Sequence, residues 1–256
     1  MKPLQKNILL FFIPVLLMQG GIKPAYSQQE ITAEEILDRI DRNMFPTTVH
    51  YRGRLVIHHQ DRIDEKVMLV WGEGRDRGYS EFLSPSRDKG TKYLKLGDEL
   101  WMYLPNIEKV IKISGHLLRQ SMMGSDFSYE DSLERNKLRE DYTPGIAGEE
   151  SIIGRQCYVL ELTAKRKDVT YFRQKIWVDK EQYVVLQSER YAKTGKLLKI
   201  MTTQKIEQFG ERFYPTQLTM EDKLRKNSKT EMLLEEIQFD ITIPASTFTR
   251  RNLERK

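Results

Sequence analysis

The 256-residue chain has a single cysteine and four histidines. With Cys157 alone, no intramolecular disulfide can form, so the fold must rest on a buried core. Cys157 lies in an apolar strand-like run, where a lone cysteine usually behaves as a small hydrophobe. Histidine is too sparse and too badly spaced for metal chemistry. His58 and His59 are neighbours on an expected strand, where successive side chains point to opposite faces, and no histidine or cysteine pair has ligand spacing. Gly72-Glu73-Gly74 is not followed by Gly-Lys-Ser/Thr and so makes no phosphate loop. No metal and no cofactor are expected.

Long apolar runs are also missing. The run from Ile8 to Met18 is shorter than the roughly 20 residues that span a bilayer, and Pro14 interrupts it. Lys2 and Lys6 precede it and Ala25-Tyr26-Ser27 follows, the pattern of a cleavable secretory signal over residues 1–27. An uncleaved anchor is the alternative. No cysteine stands near the exit, so the chain should not itself be lipidated, and a single exported domain over 28–256 is expected. Cleavage would remove Lys2, Lys6 and Lys23 and no acid, lowering the net charge from +5 to +2. That near balance argues against nucleic acid as a partner, which needs a one-sided basic footprint.

What remains is rich in strands. One helix opens it: Thr32 with Glu35 forms a capping box, Ile31 and Ile36 a staple, and Ile36, Leu37, Ile40 and Met44 an apolar face that Pro46 ends. From Val49 onward, residues alternate at period two through about eleven short segments bounded by turn chemistry, including Gly97-Asp98. So many strands without helical crossovers indicate an antiparallel sheet that must curl or split. Its concave face is expected to be lined by Tyr51, Leu55, Ile57, Leu69, Trp71, Leu94, Trp101 and Tyr103. Leu117 to Phe127 is rich in methionine, and Leu118, Met122, Met123 and Phe127 supply the adaptable apolar surface used where partners vary in shape. Core plug and mobile flap are both open for this segment. Arg119 and Asp126 are candidates to anchor it.

Catalytic constellations are thin. Ser125-Asp126 lacks a strand-to-helix glycine elbow and a placed histidine, and Glu130-Asp131 reads more readily as a solvated cap or an arginine partner than as an acid-base pair. No catalytic residue is assigned.

Leu96-Gly97-Asp98-Glu99-Leu100-Trp101-Met102-Tyr103-Leu104-Pro105 resembles the hairpin of LolA-like periplasmic lipoprotein carriers. Gly90 to Leu94, Lys109 to Ile113 and Ser121 to Asp131 are similar to the outer-membrane lipoprotein-sorting relatives of that family, and the tail at Thr247-Phe248-Thr249 agrees. The resemblance implies a mainly β fold, a strongly curved antiparallel half-barrel with covering helices. It also implies acyl chains held in a hydrophobic cavity during periplasmic transit, without hydrolysis. Its implied partners are acylated lipid or lipoprotein cargo, an inner-membrane exporter and an outer-membrane acceptor. The carriers' lid arginine has no matched position, Arg52 and Arg54 being the nearby candidates, and the Met-rich segment reads in this light as a movable lid. Two other readings stand beside the carrier: an envelope interaction, sensor or exporter-accessory protein using the same fold without cargo, and a secreted hydrolase acting through Ser125 or Glu130.

Overall fold

A computed structural model describes residues 31–134, 138–167 and 169–255; the expected signal segment, 1–27, lies outside the described residues. The first helix, α1 (Ala33–Met44), begins at Thr32, whose hydroxyl accepts from the Glu35 amide at 3.1 Å while the Glu35 carboxylate accepts from the Thr32 amide at 2.9 Å. That reciprocal cap removes two orphan donors from the first turn. Its buried stripe is Ile36, Leu37 and Ile40, each contributing about 2 kcal/mol of apolar burial.

Two antiparallel meanders follow. The first comprises β1 (Thr48–His58), β2 (Ile63–Glu73), β3 (Arg77–Ser84), β4 (Lys92–Leu96), β5 (Glu99–Leu104) and β6 (Lys109–Ile113). A crossing segment then carries two 3-10 turns, Gly115–Arg119 and Met122–Gly124, and two short helices, α2 (Tyr129–Glu134) and α3 (Leu138–Asp141). The second meander is β7 (Tyr142–Ile152), β8 (Arg155–Ala164), β9 (Arg173–Asp179), β10 (Val185–Tyr191), β11 (Leu197–Phe209), β12 (Arg212–Asp222) and β13 (Lys229–Phe239). The chain closes with a 3-10 turn at Ala245–Phe248 and the helix α4 (Arg250–Glu254).

β13 pairs with β1, which fuses the meanders into one sheet of 13 strands ordered β6-β5-β4-β3-β2-β1-β13-β12-β11-β10-β9-β8-β7. β6 and β7 are its open edges, so the sheet is not a closed barrel. The expected count of about eleven falls short mainly at β7, whose Pro144, Gly145 and Gly148 disguise it. A proline is tolerated there because an edge strand has a side with no ladder to feed. The β4–β5 hairpin turns at Gly97-Asp98 as expected, with Gly97 at φ 56°, a conformation that costs glycine nothing. No helix among the described residues is long and apolar enough to cross a membrane.

The inner face of the sheet is covered along both meanders, and the outer face along the first. On the inner face, α1 packs on Leu160, Leu162, Ile176 and Val178, and the crossing segment packs on Leu55, Ile57, Phe82, Leu218 and Met232. On the outer face of the first meander, Phe248 and Leu253 of the C-terminal segment cover Tyr79, Leu94, Trp101 and Tyr103.

A candidate ligand groove and its polar anchor

Two adjoining cavities, of about 210 and 240 Å³, open on the inner face. Tyr51, Val70, Gly78, Lys95 and Ser132 border both, so they form one groove. Its first part is lined by Met68, Tyr93, Leu100, Met122, Phe127 and Met232. The second part lies between α1 and the second meander, where Ile40, Met44, Ile176, Val185, Met201 and Leu218 contribute. β2 and β9 are six strand spacings apart in the sheet, roughly 29 Å if it lay flat at about 4.8 Å per spacing. Both line this second part, so the sheet curls around it. Together the cavities reach the lower part of the range of about 300–1,000 Å³ typical of small-molecule sites. Burial, with the Tyr129 hydroxyl 3.4 Å away, pushes the Tyr93 hydroxyl up, so it stays a neutral phenol in the groove wall.

The register decides which of the expected lining residues meet. Tyr51 lies opposite Val70, and Gly53 opposite Met68. The odd-numbered residues of β1 therefore share the inner face with the even-numbered residues of β2. Val70, Ser80, Tyr93, Met102 and Ile111 continue that inner row from strand to strand. Tyr51, Met122 and Phe127 line the groove; Leu55 and Ile57 are fully buried in the core of that face, and Leu118 and Met123 pack against it. Leu69, Trp71, Leu94, Trp101 and Tyr103 fall on the opposite parity. Trp71 borders the groove's rim, but its ring stacks on His50 at 4.7 Å, and it packs with Leu94, Trp101 and Tyr103 in the outer cluster. The expectation that all eight strand residues line one concave face is thus corrected for Leu69, Leu94, Trp101 and Tyr103, while Trp71 reaches the groove only at its rim: period two sends neighbours to opposite faces, and the C-terminal segment covers Leu94, Trp101 and Tyr103.

The crossing segment is anchored at its centre. Asp131, 2% exposed, accepts from Arg190 Nη1 at 2.5 Å, Lys199 Nζ at 2.7 Å, the Tyr171 hydroxyl at 2.9 Å and both the amide and hydroxyl of Ser128. Burial alone would raise its pKa. The charges of Arg190 and Lys199, with the hydrogen bonds of Lys199 and Ser128, outweigh that and hold the carboxyl at about 2. The arrangement has a reason in the sheet. Arg190 and Lys199 are directly opposite each other on β10 and β11, and like charges in that position repel unless an anion intervenes.

Asp126 forms a second anchor. Its carboxylate accepts from Thr230 Oγ1 at 2.7 Å and Ser228 Oγ at 3.0 Å, its amide donates to Thr230 Oγ1 at 2.9 Å, and Lys199 Nζ donates to its carbonyl at 2.8 Å. The expected Arg119 anchor is not found; Arg119 is exposed, and the arginine nearest this carboxylate is Arg225, at 3.7 Å. Ser125 is fully buried, with its hydroxyl donating to the Met122 carbonyl at 2.6 Å, which is turn chemistry rather than a presented nucleophile. From Ser125 to Asp131 the segment is therefore a docked plug, while Gly115 to Gln120 stays partly to fully exposed. Arg52 and Arg54 do not serve as the lid arginine either. They have the outer parity, and Arg54 pairs with Glu235 at 2.6 Å. Arg190 and Lys199 hold the segment instead. Sequence offered only a faint signal for them, two cations in otherwise alternating strands.

A family model described as "-like: Uncharacterized protein" matches residues 74–255, well over half of the chain. No curated protein matches the sequence. Among solved structures, a DUF1329 family protein from Desulfovibrio piger is 26% identical, with a TM-score of 0.79, covering 86% of this chain and 97% of that one. A putative outer membrane lipoprotein-sorting protein domain from Vibrio parahaemolyticus is 24% identical, with a TM-score of 0.79 and 88% and 98% coverage. A LolA superfamily protein from Nitrosomonas europaea is 24% identical, with a TM-score of 0.74 and 87% and 99% coverage. The groove-forming half-barrel is thus the LolA-like fold, and the chain belongs to the family of that matching model.

Proposed function

We propose that the mature chain, residues 28–256 after loss of the signal, is a periplasmic carrier that holds the acyl chains of lipids or lipoproteins in the inner groove on their way to the outer membrane. The observation that carries this reading is a largely apolar groove left open on the inner face by the protein's own side chains. Each CH₂ buried there contributes about 0.8 kcal/mol, so one long chain binds firmly and its release requires the groove to widen. Met122 and Phe127 of the crossing segment form part of the wall that this widening must displace. An inner-membrane exporter as donor and an outer-membrane acceptor complete the cycle.

Native mass spectrometry of the protein purified from its own cell envelope tests the proposal. A carrier is expected to come with one or more acyl-bearing masses that detergent or organic solvent removes. A protein with bare mass after gentle purification, which also fails to take up an apolar fluorescent probe, would instead be a docking or sensor module that uses the fold without cargo.

A further inference from the structure

The groove is not uniformly apolar. On its second-meander wall, Gln174, Arg190 and Lys199 lie side by side across β9, β10 and β11, and Ser188 is one pleat from Arg190 on the same face. Gln174, Ser188 and Arg190 all border the cavity between α1 and the sheet. Ser188 is 3% exposed, and its hydroxyl has no hydrogen-bond partner. A buried hydroxyl left unmatched is destabilising, and such groups are otherwise satisfied in the great majority of cases. The neighbouring cations already donate to a carboxylate, that of Asp131, delivered by the crossing segment.

We propose that this stripe is a headgroup site: the cargo is an acyl lipid with an anionic head, carboxylate or phosphate, seated against Arg190 and Ser188 with its chain along Ile176, Met201, Val70 and Tyr51. The inference rests on the carrier reading and narrows it to a substrate class. A neutral head could accept only an uncharged hydrogen bond from Ser188 and would make no use of the two cations, Arg190 and Lys199, that face the single Asp131 carboxylate. An anionic head accepts from the Ser188 hydroxyl and shares the field that otherwise acts on Asp131 alone. It is thereby drawn to the element that shuts the groove.

Displacement of a bound apolar fluorophore from the mature protein at pH 8 provides the test, using pairs matched in chain and differing in head. Palmitate is expected to displace the probe at about one tenth the concentration that hexadecanol needs, the preference of one charge-assisted hydrogen bond worth about 1.4 kcal/mol, and phosphatidic acid is expected to outcompete diacylglycerol likewise. Ser188→Ala lies outside the Asp131 anchor, so the fold is kept; it should reduce the preference for palmitate over hexadecanol severalfold. Equal displacement by palmitate and hexadecanol would overturn the headgroup site and leave the carrier standing, as would an unaltered preference in Ser188→Ala. Failure of every lipid would overturn the carrier itself. Displacement by inorganic phosphate or acetate at concentrations similar to the lipids would mark a free-anion site and overturn the lipid assignment.

Discussion

Asp131 is withdrawn from water and surrounded by five donors. Removing one partner of such a buried pair strands the other charges, so Asp131→Ala is expected to lose about 3–5 kcal/mol of unfolding free energy in urea titration. Asp131→Asn keeps the volume but still loses the charge and should fall between Ala and the native chain. The pH response follows from the sign of the shift. The folded carboxyl titrates at about 2, below the ordinary 3.8, so its stabilisation is complete above about pH 4 and is lost as pH falls towards 2. Near-UV circular dichroism between pH 5 and 1.5 should show a transition in that window for the native chain, and Asp131→Asn should lack that component.

In the strands, one residue of offset separates groove from outer wall. Val70→Trp, which borders both parts of the groove, is expected to abolish binding of an apolar probe while far-UV circular dichroism stays native. Leu69→Trp, its neighbour on the opposite face, should leave probe affinity within about twofold. Equal effects at the two positions would refute the register argument. The same pair shows how far the sequence could be read. Thr32 and Glu35, Gly97-Asp98 and the alternation in β1 and β2 were legible because their chemistry is local. Which set of β2 faces inwards was not, because Met68 and Val70 on one side and Leu69 and Trp71 on the other are all apolar. A sheet covered on both faces lacks the polar contrast that normally reveals the buried side. The plug was half legible: methionines advertised the adaptable part, whereas the anchor needs Asp131 to meet Arg190 and Lys199 from distant strands, a pairing no local pattern encodes. β7 escaped notice because edge strands accept proline and glycine.

At the scale of the whole molecule, the C-terminal segment is a structural cover. Removing residues 249–255 takes Leu253 from the outer cluster and bares part of Tyr79, Leu94 and Trp101. The truncated chain is expected to bind an environment-sensitive dye strongly and to aggregate on mild heating, because exposed apolar patches of that kind promote association. The seam between β1 and β13 has a different bearing. Each meander is made of pairings between strands adjacent in sequence, whereas Ile57 meets Thr230 only after about two thirds of the chain has been threaded between them. Loop-closure entropy makes such a contact late and slow. A chain emerging amino end first would thus present β1 with one side unpaired until its last long strand arrives, and in that interval the exposed β1 edge is the place where chaperone protection matters most.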